Sequence, residues 1–374
     1  MIRFKKTKLK NGIRVVSENH PQSHAASIGI WILTGTRDED SQELGISHFL
    51  EHMVFKGTKT RSAFQIAKSL EVLGGELNAF TTREYTCFHA LILKNHWSRG
   101  LEVLSDLVSN MSIKKDDFHV EKSVIVQEIS MTEDDIEELI YDIYFARALG
   151  KSSLGRSILG NVESISRITQ KQVLRYYREK YCGNNIIVSG AGDLDHQELV
   201  EGVEKFLSGK VKRRSKIVHS KPRHRSFREV IARPVEQTHF LFGLPCSSFK
   251  DKLRFEALIF NTLLGGGMTS RLYQRIREKR GLVYSIHSNL NTFIDFGLLS
   301  VYAACDPKNM KKVVRGIAAE LKQIRKRKIT QGELDLFKTQ VCGSILLGAD
   351  EIEGRMQSIA INEMVFGKYK PVES

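Results

Sequence analysis

Ser27-Ile28-Gly29-Ile30-Trp31-Ile32-Leu33-Thr34-Gly35 is a largely apolar run closed by Thr-Gly, the pattern of a buried strand that ends in a turn. Beyond it an amphipathic helix opens near Gly45. Ser62-Ala63-Phe64-Gln65 then has the Ser-x-x-Gln form of a capping box, starting a helix that runs to a Gly74-Gly75 stop. Two strands rich in β-branched and aromatic residues follow, Glu76 to Thr81 and Tyr85 to Leu93, joined by a tight turn, and another helix begins near His96. The same order recurs further on: a strand at Thr238 to Leu244, helices from Lys252 to Leu264 and Thr269 to Arg280, then strands around Val283 to Ser288 and Gly297 to Ala304. This pattern reads as an internal duplication. Gly75 and Gly281 each end a helix and each stands three residues before a polar residue of the next strand, Asn78 or Tyr284. The expected fold class is α+β, two duplicated domains, each an antiparallel sheet packed against helices. The expected division is 1–208, a basic linker 209–226, and a second domain 227–374.

A length of 374 residues suits two domains, each with its own core. Hydrophobic residues at 41% and charged residues at 27% fall in the globular range, and no segment has the run of apolar residues a membrane span requires. Met1 to Lys10 has a charged start with no apolar stretch behind it, so the chain reads as cytoplasmic, with no membrane partner. Cys87, Cys182, Cys246, Cys305 and Cys342 are scattered and contain no Cys-x-x-Cys pair, which argues against a disulfide framework and a thiolate zinc site. A net charge of +14 raises the question of nucleic acid. The densest basic run, Lys210 to Lys216, continuing to His224 and Arg225, falls between the domains and has no interleaved aromatics for base stacking. It reads as a solvated linker, and nucleic acid is not an expected partner.

The chemistry sits in Gly45-Ile46-Ser47-His48-Phe49-Leu50-Glu51-His52-Met53. On a helix His48 and His52 lie one turn apart on one face, so both imidazoles can reach one cation. Glu51 stands on the same side, where a carboxylate can take a proton from water beside that cation. Phe49, Leu50, Met53 and Val54 make the helix largely apolar, so the histidines lie near the interior and need a partner there. A zinc site in a hydrolase takes a third protein ligand. Glu121 and Glu128, two turns apart on one face of a helix striped by Val124, Ile125 and Ile129, are the candidates, and spacing alone does not choose between them.

The whole chain resembles the pitrilysin/insulinase family of metallopeptidases, especially its short processing-protease-like members. The resemblance rests on Gly35 and on Gly45 through His48-Phe49-Leu50-Glu51-His52 to Met53-Val54-Phe55-Lys56-Gly57-Thr58. It implies Zn2+ as cofactor with His48, His52 and Glu128 as ligands, Glu51 as general base, and Glu121 as an acidic residue supporting the histidines or the metal charge. It extends to Gly74-Gly75-Glu76-Leu77-Asn78-Ala79-Phe80-Thr81, the strand that lies beside the zinc in the family. Asn78, Ala79 and Phe80 are the candidates for pairing with a peptide substrate through main-chain bonds. Arg277-Glu278-Lys279-Arg280-Gly281-Leu282-Val283-Tyr284 matches the family segment whose arginine and tyrosine hold substrate, which points to Arg277 and Tyr284, with Tyr284 also donating to the developing oxyanion.

Placing Gly57 over Gly265 sets Glu256, Ile259 and Phe260 where His48, Glu51 and His52 stand, so one zinc per chain is expected. Family chains of this type continue past Lys370-Pro371-Val372-Glu373-Ser374 into further helix. The implied activity is zinc-dependent endopeptidase action on unfolded or short polypeptides. The implied active form is a homodimer, each chain forming half of a clamshell. The rival expectation is a non-catalytic partner subunit, which in this family usually lacks part of the zinc motif.

Overall fold

The computed structural model describes residues 3–209 and 219–372; the Lys210 to Lys216 run lies outside the described residues. In chain order the first elements are β1 (Arg3–Lys8), β2 (Arg14–Asn19), β3 (Ala25–Ile32), α1 (Ile46–Phe55), α2 (Ala63–Glu71), β4 (Glu76–Thr81), β5 (Thr86–Leu93) and α3 (Trp97–Asn110). They are followed by α4 (Lys115–Asp134), α5 (Ile136–Leu149), α6 (Val162–Arg167), α7 (Gln170–Lys180), β6 (Ile186–Gly192) and α8 (His196–Val203). The later elements are β7 (Thr238–Cys246), α9 (Arg254–Gly265), a π-helical stretch at Tyr273–Glu278, β8 (Ser285–Thr292), β9 (Gly297–Cys305), α10 (Met310–Lys326), α11 (Gln331–Ala349) and α12 (Ile352–Phe366). No described helix is long and apolar enough to cross a membrane.

One sheet has six strands in the order β1-β2-β6-β3-β5-β4, and the other has three, β7-β9-β8. Every neighbouring pair is antiparallel except β2 and β6, which run parallel. The duplication read from the sequence is visible in the pairing: β3-β5-β4 and β7-β9-β8 are the same arrangement, with helices between the first and second strands of each set. The turn glycine differs slightly from expectation in the first copy. Gly74, with φ +67°, takes the left-handed conformation, as Gly281 does in the second copy with φ +57°. Gly75 is needed for room, since a Cβ there would lie 2.9 Å from Ile92.

The two compact units are not contiguous in sequence, whereas the expected division runs 1–208, 209–226 and 227–374. The first contains residues up to Met131, Arg156–His219 and from Gly348 onward; the second contains Thr132–Gly155 and Ser220–Leu347. The reason is where apolar faces find cover. In the first unit, Leu101, Leu104 and Leu107 of α3 join the core on one sheet face, and Met356, Ile359 and Ala360 of α12 cover Trp31, Cys87 and Ile187 on the other. A buried ion pair pins α12 there: Arg355 Nε donates to Glu18 Oε1 at 2.8 Å, and His20 Nε2 lies 2.9 Å from the same oxygen. Burial works against the Glu18 charge, yet hydrogen bonds from His20 and Arg355 hold its pKa below the usual carboxylate value. In the second unit, Tyr144, Phe145, Ala148 and Leu149 of α5 pack with Phe296 and Leu298.

Candidate metal centre and active site

The first unit builds the centre on α1. Gly45 enters the helix with φ +86°, and the Gly45 and Ser47 amides donate to Glu39 Oε2 and Oε1 at 2.9 and 2.8 Å. This carboxylate satisfies amide donors that a helix start otherwise leaves open. Glu39 is buried, and burial raises its pKa to about 8 against the pull of those hydrogen bonds. Phe49, Leu50, Met53 and Val54 are fully buried, each contributing roughly 1.5–3 kcal/mol of hydrophobic stabilisation. The face they leave carries His48, Glu51 and His52, all half-buried.

The imidazoles of His48 and His52 stand with ring centroids 4.6 Å apart. From α4, Glu128 Oε2 lies 3.9 Å from His48 Nε2 and 3.6 Å from His52 Nε2. Among the described residues, His48, His52 and Glu128 form the cluster of metal-ligand type, each offering one donor atom within 4.8 Å of the others. These residues fit a zinc ion. Bonds of about 2.0–2.2 Å in a tetrahedron put donor atoms roughly 3.3–3.6 Å apart, near the 3.9 and 3.6 Å that separate Glu128 Oε2 from His48 Nε2 and His52 Nε2. Glu128 Oε2 is buried with no hydrogen-bond partner, as a waiting ligand atom would be.

Glu121, two turns before Glu128, does not join that cluster. It is almost fully buried and accepts from His52 Nδ1 at 2.9 Å, while Lys56 Nζ pairs with its other oxygen. That bond fixes the proton on Nδ1 and turns Nε2 towards Glu128. Burial, with the neighbouring His52 charge, pushes His48 down to about 4, so it is a neutral donor at pH 7. For His52 burial acts in the same direction, but the Glu121 hydrogen bond and the charges of Glu128, Glu121 and Glu51 outweigh it and raise the pKa. Glu51 is raised by burial, against a hydrogen bond from Thr81 Oγ1 to its Oε2 at 2.5 Å.

Thr81 is the residue that sequence reasoning missed. It ends β4, an edge strand of the six-stranded sheet, and alternation turns it with Leu77 and Ala79 towards α1. Asn78 and Phe80 face the other way. Phe80 packs edge-on to Trp31 at 5.9 Å, so its side chain belongs to the aromatic cluster under α12. Asn78 Oδ1 accepts from the Ala79 amide at 2.8 Å. What Asn78, Ala79 and Phe80 offer a ligand in common is main chain. Arg277 and Tyr284 belong to the second unit. The Arg277 guanidinium lies 4.9 Å over the Tyr273 ring, and Tyr284 is 73% exposed.

The insulinase (peptidase family M16) profile matches residues 14–162, and the peptidase M16 inactive domain matches 167–341. The chain is 37% identical to an uncharacterized zinc protease of Mycobacterium tuberculosis over 99% of its length and 85% of that protein. It is 32% identical to an uncharacterized zinc protease of Bacillus subtilis over 99% of its length and 90% of that protein. The chain belongs to the insulinase family, peptidase family M16. A solved protease from Helicobacter pylori has the same fold, with TM-score 0.90 at 22% identity over 98% of this chain and 91% of that one. So does a peptidase M16 inactive domain from Pseudomonas fluorescens, with TM-score 0.87 at 18% identity over 97% of this chain and 89% of that one.

Proposed function

We propose that the chain is a zinc-dependent endopeptidase acting on unfolded or short polypeptides. The observation that carries this reading is the convergence of His48 Nε2 and His52 Nε2 on Glu128 Oε2, with the Glu51 carboxylate on the same helix face. His48, His52 and Glu128 would hold a zinc ion, which when bound polarises a peptide carbonyl and brings the pKa of a water down to about 7. Glu51 takes the proton of the attacking water and delivers it to the leaving amine. Thr81 holds the Glu51 carboxylate in place for both transfers. Glu121 keeps His52 in the ligating tautomer and, with Lys56, holds a buried charge near the centre.

A peptide pairs with the open edge of β4 through its main chain, which suits a substrate of varied sequence. Beside that strand is a cavity of about 460 Å³ lined by Phe55, Ile66, Leu70, Leu77 and Asn78, with room for an apolar side chain of the bound peptide. The second unit carries Glu256, Ile259 and Phe260 on α9 at the places of the zinc motif, supporting one metal per chain. The inactive-domain match covers 167–341 and leaves His48, Glu51, His52 and Glu128 outside it, so it does not favour a non-catalytic subunit. The active form in this reading is a homodimer, Arg277 and Tyr284 of one subunit serving the zinc centre of the other.

The test is metal-stripped protein incubated with a mixed pool of unfolded peptides. One equivalent of zinc should restore internal cleavage; bound zinc without cleavage would contradict the reading.

A further inference from the structure

The two histidines of α1 are held by different means. His52 is oriented through its ring, since its Nδ1 lies 2.9 Å from Glu121 Oε2. His48 has no such support: its Nδ1 is buried and, among the described residues, has no hydrogen-bond partner. A histidine that ligates a metal ordinarily gives its second ring nitrogen to a carboxylate, a carbonyl or a water, which fixes the ring. For His48 the backbone that carries it must do this work instead.

That backbone is the first turn of α1, which begins at Ile46. A helix start is a weak point, because its first amides have no partner within the helix. Here one side chain secures it. Glu39, only 4% exposed, sets one carboxyl oxygen on the Gly45 amide at 2.9 Å and the other on the Ser47 amide at 2.8 Å, and Ser47 immediately precedes His48. Glu39 is itself held, as the Arg156 guanidinium donates to its carbonyl. Ser47 Oγ and the hydroxyl of Tyr176 on α7 lie 2.8 Å apart. On the remaining side Gly45 is pressed against the Leu159 carbonyl oxygen, which a Cβ would meet at 2.5 Å.

We infer that Glu39 is a positioning residue of the metal centre: by fixing the first turn of α1 it sets where His48 Nε2 stands relative to Glu128 Oε2, now 3.9 Å away, as Glu121 does for His52. The inference rests on the zinc reading above. Glutamine at position 39 would keep the size of the side chain and one carbonyl acceptor. Its amide nitrogen accepts nothing, so one of the two backbone amides would meet a donor and the turn would have to move.

The experiment measures zinc affinity of the full chain by chelator competition and the visible spectrum of the Co2+-loaded protein, which reports the geometry around the metal. Glu39→Gln should bind zinc about tenfold or more weakly than wild type and give an altered Co2+ spectrum. Glu39→Asp, which keeps the acid and can reach one of the two amides, should fall between them and carries the test if Glu39→Gln does not fold. Asp106→Asn is the control for stability: it loosens the loop after α1, so its melting temperature should fall while zinc affinity and spectrum stay at wild-type values. Wild-type affinity and spectrum in the Glu39 variants would overturn the inference. An equal loss of affinity in Asp106→Asn would also overturn it, making the effect one of general stability. Wild-type protein that binds no zinc would overturn the zinc reading, and this inference with it.

Discussion

Glu121 Oε2 accepts the Nδ1 proton of His52 at 2.9 Å, so a carboxylate outside the His48–His52–Glu128 cluster sets which nitrogen of that histidine faces Glu128. Removing its charge should leave the cluster intact but less well oriented. Glu121→Gln is expected to lower zinc affinity roughly 10- to 100-fold, and Glu128→Gln, which loses a ligand, by more. Competition with a chelator ranks the two; the reverse order would exchange their roles.

The hydrogen bond from Thr81 to Glu51 leads to a variant with a different signature. Thr81→Val keeps the shape of the side chain and removes the donor, which costs about 1.5–3 kcal/mol when the acceptor is charged. Turnover should fall by about tenfold or more while zinc content stays at the wild-type level. Equal losses of zinc and turnover would instead make Thr81 part of the metal site.

Below α1, Asp106 holds the loop that follows that helix. It accepts from Asn110 at 2.6 Å, Thr58 at 2.7 Å, Arg61 at 2.6 Å and Thr60 at 2.9 Å. Burial raises its pKa, but these bonds outweigh burial and the net shift is downward from 3.8. A carboxylate with a lowered folded pKa contributes stability above its unfolded value and loses it as pH falls through the folded value. Asp106→Asn should therefore destabilise the protein by about 1–3 kcal/mol at pH 7, and the gap in melting temperature should narrow below pH 3.8. A gap that does not change with pH would assign the effect to packing.

The shared-site homodimer makes its own demand. Glu51→Gln subunits and Tyr284→Phe subunits should each be nearly inactive alone. Mixed and allowed to exchange, they should recover activity, because one of the two centres in a mixed dimer has both groups intact. No recovery after verified exchange would leave each chain acting alone.

Much of the centre was legible because it is local. His48, Glu51 and His52 share a face by helical spacing, and the Ser62–Gln65 capping box appears with Gln65 Oε1 accepting from the Ser62 amide at 2.8 Å. β4 spans the same residues, Glu76 to Thr81, that the sequence composition marked as a strand. The unread parts depend on distant partners. β2 places Glu18 inside the sheet, against the local logic of a buried strand, and it is tolerable there because Arg355 arrives from 337 residues away. The same pair carries α12 back to the first unit, which no linker composition announces. Thr81 was an ordinary strand residue until the packing of β4 on α1 set its hydroxyl against Glu51.

The most direct measurement of the central claim pairs two readouts on Glu51→Gln: zinc per chain, and cleavage of a mixed pool of unfolded peptides beside the wild type. Glu51 is assigned to proton transfer and not to metal binding, so the variant should retain one zinc per chain and lose cleavage by at least about 100-fold. Zinc-loaded Glu51→Gln that cleaves at the wild-type rate would contradict the account.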